Sequence, residues 1–234
     1  MSKPPSGSVP DSSAPTGIGP KLLNLFVSPS LVFDEVAVQP FRHVNWLVPT
    51  ALVCLTSLLV LRVTRNPDHL TASIQQLLAA GSITQQQAAA LSSHWATLSA
   101  VATCLYPFLG VLWSACIIWF IGRVLLKSSL PFSKALEVAG LSQAILLLGT
   151  VTTGLLVLAA GDVLARPALS LLVMTFDPAS RTRATLETLN VFYLWTTVVL
   201  VIGLSRLSRI SVFESAFWVF SYWVLIRVAL VLLS

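Results

Sequence analysis

Apolar residues fall into five long runs, at about 44–63, 98–126, 139–160, 188–204 and 212–233, set apart by polar or basic stretches. A hydrocarbon core of ~30 Å needs about 20 helical residues at ~1.5 Å rise each, so each run has roughly the length of a spanning helix. The run at 98–126 is overlong and holds Pro107 and Gly110, which predicts a kink or tilt there. The run at 188–204 is the shortest.

Ahead of these runs, residues 21–39 read KLLNLFVSPSLVFDEVAVQ. Ser28 suits an N-cap, Pro29 a first helical position and Pro40 a stop, so two short helices are predicted. Leu22, Leu23, Phe26 and Val27 make one apolar turn and Val32, Phe33, Val36 and Ala37 the next, while Asp34 and Glu35 turn to water. The segment is too short and too charged to cross, and residues 21–43 are therefore expected to lie on the membrane surface. Residues 1–20 hold Pro4, Pro5, Pro10, Pro15 and Pro20 among serines and glycines, a composition that predicts a disordered tail. That tail offers no apolar run of signal-peptide type, so the first spanning helix is expected to act as the export signal. Between the first two runs, Ser82 and Gln85 fit a capping box after Gly81, predicting a helical hairpin outside the bilayer.

These elements add up to an all-α polytopic transmembrane bundle of five spans over residues 44–233. At an offset of 81 (202 minus 121), Ile121, Gly122, Phe132, Ala135 and Val138 align with Ile202, Gly203, Phe213, Ala216 and Val219. A repeat of this kind would pair two hairpins into a four-helix core with the first span appended.

Composition excludes a water-soluble globule: 56% of residues are hydrophobic and 10% charged, against about a quarter charged in soluble domains. Mean hydropathy is +0.85. Basic residues outnumber acidic ones 14 to 9, but they are scattered between apolar runs and form no stripe for nucleic acid. Their distribution reads as topology. Lys3, Lys21, Arg42, Arg123, Lys127, Lys134, Arg206 and Arg209 fall on one side, against Arg62, Arg65, Arg166, Arg181 and Arg183 on the other. The excess places the N-terminus in the cytoplasm and the C-terminus outside. Cys54, Cys104 and Cys116 sit within apolar runs without metal-ligand spacing, and neither metal nor cofactor is expected.

Arg227 is the clearest charge inside a spanning run, a position costing about 2.5–3.5 kcal/mol at a helix centre. It either snorkels to the outer surface or pairs with Asp162 or Glu187 at the outer ends of neighbouring spans. Asn190 and Trp195 complete the candidate intramembrane polar or structural site. Glu137 and Glu214, where spans three and five begin, suit the positive end of a helix dipole. The hydroxyls of spans three and four either bond between helices or line a polar path. GxSxG, HExxH, Walker glycine loops and paired intramembrane carboxylates do not occur, so no enzymatic activity is expected.

The stretch from Leu23 to Pro40, with Phe26, Ser28-Pro29 and Phe33, joins Asn190-Val-Phe-Tyr-Leu-Trp195, Ile202-Gly203-Leu204 and the Phe-x-x-Ala helix starts in resembling the Yip family of five-span membrane proteins. The resemblance covers about residues 22–233. It implies five spans with a cytoplasmic N-terminus; eukaryotic members are linked to vesicle traffic and prenylated Rab-type GTPases. The function expected from residues and resemblance together is a non-enzymatic membrane organiser or adaptor. Its partners would be the lipid bilayer and other membrane proteins or further copies of itself. A small-solute or lipid transporter or channel is the alternative. A bacterial cytoplasmic membrane is the expected location, with a eukaryotic ER or Golgi membrane as the alternative.

Overall fold

Each of the five apolar runs forms a helix in the computed structural model, which describes residues 16–64, 67–161, 165–172, 185–187 and 189–233. In chain order the helices are α1 (Ile18–Val27), α2 (Pro29–Val38), α3 (Val44–Thr64), α4 (Pro67–Ala79), α5 (Gln85–Phe120), α6 (Phe132–Ala160), α7 (Val191–Ser208) and α8 (Val212–Leu233). Among the described residues the fold is all-helical, with one isolated bridge between Ala168 and Asn190 beside a 3-10 turn at Leu169–Leu172. Helices α3, α5, α6, α7 and α8 are long and apolar enough to cross a membrane.

The second span is longer than its apolar run. Thr84 caps α5: its hydroxyl accepts from Gln87 N at 3.3 Å, and the Gln87 side chain accepts from Thr84 N at 2.8 Å. The capping box expected at Ser82 and Gln85 therefore sits two residues later. Gly81 adopts φ +67° to leave α4, and the turn through Ser82 and Ile83 delays the new helix. At 36 residues α5 is ~54 Å long, which exceeds the bilayer, so its Gln/Ala-rich start projects beyond the apolar section together with α4. The helix runs unbroken through Pro107, and its hydrogen-bond pattern changes instead at a π-helical turn, Ile121–Leu125.

Helix α6 is the centre of the bundle. It packs on α3, α5 and α7, and its most extensive contact is with α3. The first span is thus a core partner, not an appendage to two paired hairpins; α8 is the peripheral helix. Glycine decides this. A Cβ on Gly140 would collide with the backbone and Cβ of Trp46, and one on Gly154 would come within 2.8 Å of Val60. The two contacts are equally spaced, 154 minus 140 and 60 minus 46 both giving 14, so α3 and α6 run parallel. Fourteen residues are four turns at 3.5 residues each, the repeat of left-handed packing at about +20°. Helix α7 is antiparallel to α6: Gly149 faces Phe192, and Gly203 faces Val138.

The N-terminal segment packs onto the bundle. Helices α1 and α2 form a hairpin through Ser28 that packs along α6 and α7, burying Leu25, Val32, Phe33 and Val36 with Val138, Leu141, Ile145 and Val199. The apolar turn expected at Leu22, Leu23, Phe26 and Val27 splits: Leu22 and Phe26 pack against this cluster, while Leu23 and Val27 point away. The hairpin has apolar residues on two sides because one side already meets the bundle. Of the expected tail, residues 1–15 lie outside the described residues, and Ile18–Pro20 already belong to α1.

Close approach at Gly140 supplies a test. Gly140→Ala should cost about 2 kcal/mol in reversible unfolding from detergent, because the added methyl meets Trp46 backbone that cannot move aside. Gly110→Ala, inside α5 where nothing lies within 4 Å, should be neutral or stabilising by up to about 1 kcal/mol. Equal effects at the two positions would contradict the parallel α3/α6 contact.

Candidate functional site

Lys134 and Glu137 lie three residues apart in the first turns of α6, on one face of the helix. Glu137 is fully buried, and a buried carboxylate must be paired and hydrogen-bonded where it stands. Its Oε2 meets Lys134 Nζ at 2.7 Å. Its Oε1 accepts from Arg42 N at 3.0 Å and from Asn45 Nδ2 at 2.6 Å. Lys134 Nζ also donates to the carbonyls of Val36 at 2.8 Å and Gln39 at 2.7 Å, which uses all three of its protons. Those carbonyls end α2, where a helix leaves acceptors unpaired and a cation is favoured. One ion pair therefore joins the end of α2, the linker at 39–43, the first turn of α3 and the start of α6.

A second polar cluster closes the base of the hairpin. Lys21, almost fully buried, lies 3.3 Å from Glu35 Oε1 and donates to Gln39 Oε1 at 3.0 Å. Glu35 Oε1 also accepts from Thr16 N at 2.9 Å and Gln39 Nε2 at 2.7 Å. Burial works to raise the Glu35 pKa, but the hydrogen bonds from Thr16 and Gln39 and the charge of Lys21 outweigh it, and the net shift is downward. Beside this cluster, Asp34 and Arg206 of α7 form an exposed pair at 3.6 Å.

The residues singled out from sequence do not form one site. Arg227 stacks over Tyr193 at 5.0 Å and Trp223 at 5.6 Å, and its Nε is buried without a hydrogen-bond partner. Among the described residues it makes no ion pair. The proposed pairing with Glu187 is thus replaced by aromatic rings on α7 and α8, and Asp162 lies outside the described residues. Glu187 sits in the short segment 185–187 before α7. Asn190 caps α7, its Oδ1 accepting from Phe192 N at 2.9 Å. Trp195 packs edge-on to Phe26 of α1, with ring centroids 5.5 Å apart. Sequence reasoning assigned Glu137 a helix-dipole role and missed its partners. The available signals were the Lys-x-x-Glu spacing and the asparagine in the first turn of an apolar run.

Compared with known families, residues 23–234 match the model of the Yip1 domain. No curated protein and no solved structure matched the chain.

Two outcomes follow from the polar clusters. Glu137→Ala strands a buried ammonium and should cost about 3 kcal/mol, whereas Lys134→Met combined with Glu137→Leu should cost less than the sum of the single changes by about 1.5 kcal/mol or more. A double-mutant cycle on detergent unfolding reads the difference, and simple additivity would refute the pairing. For Glu35, a folded pKa below the unfolded one gives stability that is present above the unfolded value and lost as pH falls through the folded one. The stability gap between the parent protein and Glu35→Gln should therefore shrink as pH drops from 7 to below about 4, the ordinary carboxylate range. A gap that stays constant across that interval would show that the carboxylate has no folded-state partners.

Proposed function

The chain belongs to the Yip1 family and is an integral multi-pass membrane protein; on that premise we propose that it is a non-enzymatic adaptor or organiser working through helix–helix and partner contacts. The supporting observation is the one-sided attachment of α8. Val219 packs with Val201 and Leu204 of α7 and Ile121 of the π-helical turn, while Phe213, Phe217, Leu225 and Leu232 face outward. Along that outer side runs an open apolar trough of about 800 Å3, lined by Phe217, Phe220, Val224, Leu225 and Val228 among others. The groove, and not the apolar character it shares with any lipid-facing surface, is what would admit a second transmembrane helix, because association in lipid depends on close packing.

The hydroxyls inside the spans favour the same reading over a conducting path. Ser142, Thr150, Thr152 and Thr153 on α6 and Thr196 and Thr197 on α7 each donate to the carbonyl four residues earlier. Hydroxyls engaged with their own helix leave few donors for a solute.

Crosslinking in native membranes tests the proposal. With the native cysteines replaced, Leu225→Cys should yield a discrete adduct with a membrane protein, either a partner or a second copy, and Val219→Cys should yield none. The transport reading wins if neither position crosslinks and protein in liposomes carries solute or lipid flux that Arg227→Leu abolishes.

A further inference from the structure

The hairpin of α1 and α2 is registered against α7 in a way that fixes its depth. Asp34 meets Arg206, Phe33 meets Gly203, and Phe26 meets Trp195, so the hairpin runs steadily inward from the polar end of α7. From Arg206 to Trp195 is 11 residues, ~16 Å along a helix. The opposite end of the hairpin is pinned where Lys134 binds the carbonyls of Val36 and Gln39. The legs agree with this span: α1 and α2 have 10 residues each, ~15 Å, which is half of a ~30 Å hydrocarbon core.

We propose that α1 and α2 form a re-entrant hairpin that enters one leaflet from the Lys134 side, turns near the bilayer midplane at Ser28 and contacts the acyl chains of that leaflet. Leu23, Val27 and Leu31 are 71%, 83% and 67% exposed, an outward apolar surface that continues the lipid-facing surface of the spanning helices. The hairpin's charges, Lys21, Asp34 and Glu35, all sit in its half nearest Lys134, as an element dipping into hydrocarbon requires. The polar side chains nearer the tip, Asn24, Ser28 and Ser30, are uncharged.

The turn suits that depth as well. Backbone groups in hydrocarbon must be satisfied within the protein. Ser28 N donates to Asn24 O at 2.7 Å and Leu31 N to Ser28 O at 3.1 Å, and Pro29 has no N–H to satisfy. In the leaflet on the Lys134 side, lipid therefore meets the hairpin as well as the spanning helices, and in the other leaflet the spanning helices without it. This assignment holds whichever function the protein serves.

Spin labels at Val27→Cys, Leu31→Cys and Val38→Cys test it in the full chain reconstituted in liposomes, with native cysteines replaced. Collision with oxygen over a water-soluble nickel chelate should place Val27 more than ~10 Å deeper than Val38, given the ~15 Å leg. A water-exposed Val27, or one no deeper than Val38, overturns the proposal. The unmodified protein gives a second reading that no substitution can compromise: a carbene-generating probe carried in acyl chains should modify Leu23, Val27 or Leu31. Labelling of Leu225 and Leu232 with none in residues 22–31 overturns the proposal equally.

Discussion

A carboxylate with no solvent contact cannot be left to itself in this fold, and the groups that answer Glu137 determine how the N-terminal third of the chain meets the rest. Each acceptor position is filled by a different segment: Lys134 from its own helix, the Arg42 amide from the linker and Asn45 from the first span. Lys134 extends the network to α2 through two carbonyls. The pair is not a source of large net stability, since removing both ions from water costs about as much as their attraction returns. Its effect is on register. The carbonyls of α2 and the asparagine of α3 are satisfied together at this pair, which brings both helices to the same end of α6.

Once α3 is located there, small residues allow it to stay close. Hydrophobic burial gives little drive for association in lipid, because the tails are as apolar as the side chains, so tight contact has to come from backbone approach. Gly140 against Trp46 and Gly154 against Val60 provide it on one face of α6; Gly149 against Phe192 provides it on another. The face that carries Val138, Leu141 and Ile145 receives the hairpin. Polar registration at one end and glycine contacts along the length are complementary constraints: the first selects which helices meet, and the second sets how closely.

The five spans were readable from sequence because bilayer thickness imposes a length and a composition on each of them, independent of what they pack against. The membership in the Yip1 family was readable too, from short motifs such as Ser28-Pro29 and the Asn190–Trp195 stretch. What the sequence concealed is everything that depends on partners far away in the chain. Glu137 at the start of an apolar run reads as dipole compensation, and its acceptor network involves residues 92 and 95 positions earlier. The prominence of α3 was hidden in the same way, since a glycine in an apolar run does not disclose which helix it admits. The capping box was found in kind but misplaced by two residues, because Ser82 and Thr84 both precede a glutamine three positions on. For Arg227 the local signal, an arginine in an apolar run, pointed to nearby carboxylates; among the described residues the rings of Tyr193 and Trp223 lie against it and Glu187 does not pair with it.

The rings against Arg227 bear on how α8 is held. A guanidinium spreads its charge over a plane and is weakly hydrated, so aromatic faces can receive it where an ammonium would demand a counter-ion. Helix α8 is tied to the bundle by this contact, by the bond from the Trp113 indole to the Tyr222 hydroxyl and by packing around Val219. None of these involves the buried Lys134–Glu137 network or the glycine contacts of α6. The helix with the most open outer face is therefore held through α5, α7 and the aliphatic cluster that Val219 shares with Ala135 of α6, and not through the ion pair or the helix-facing glycines.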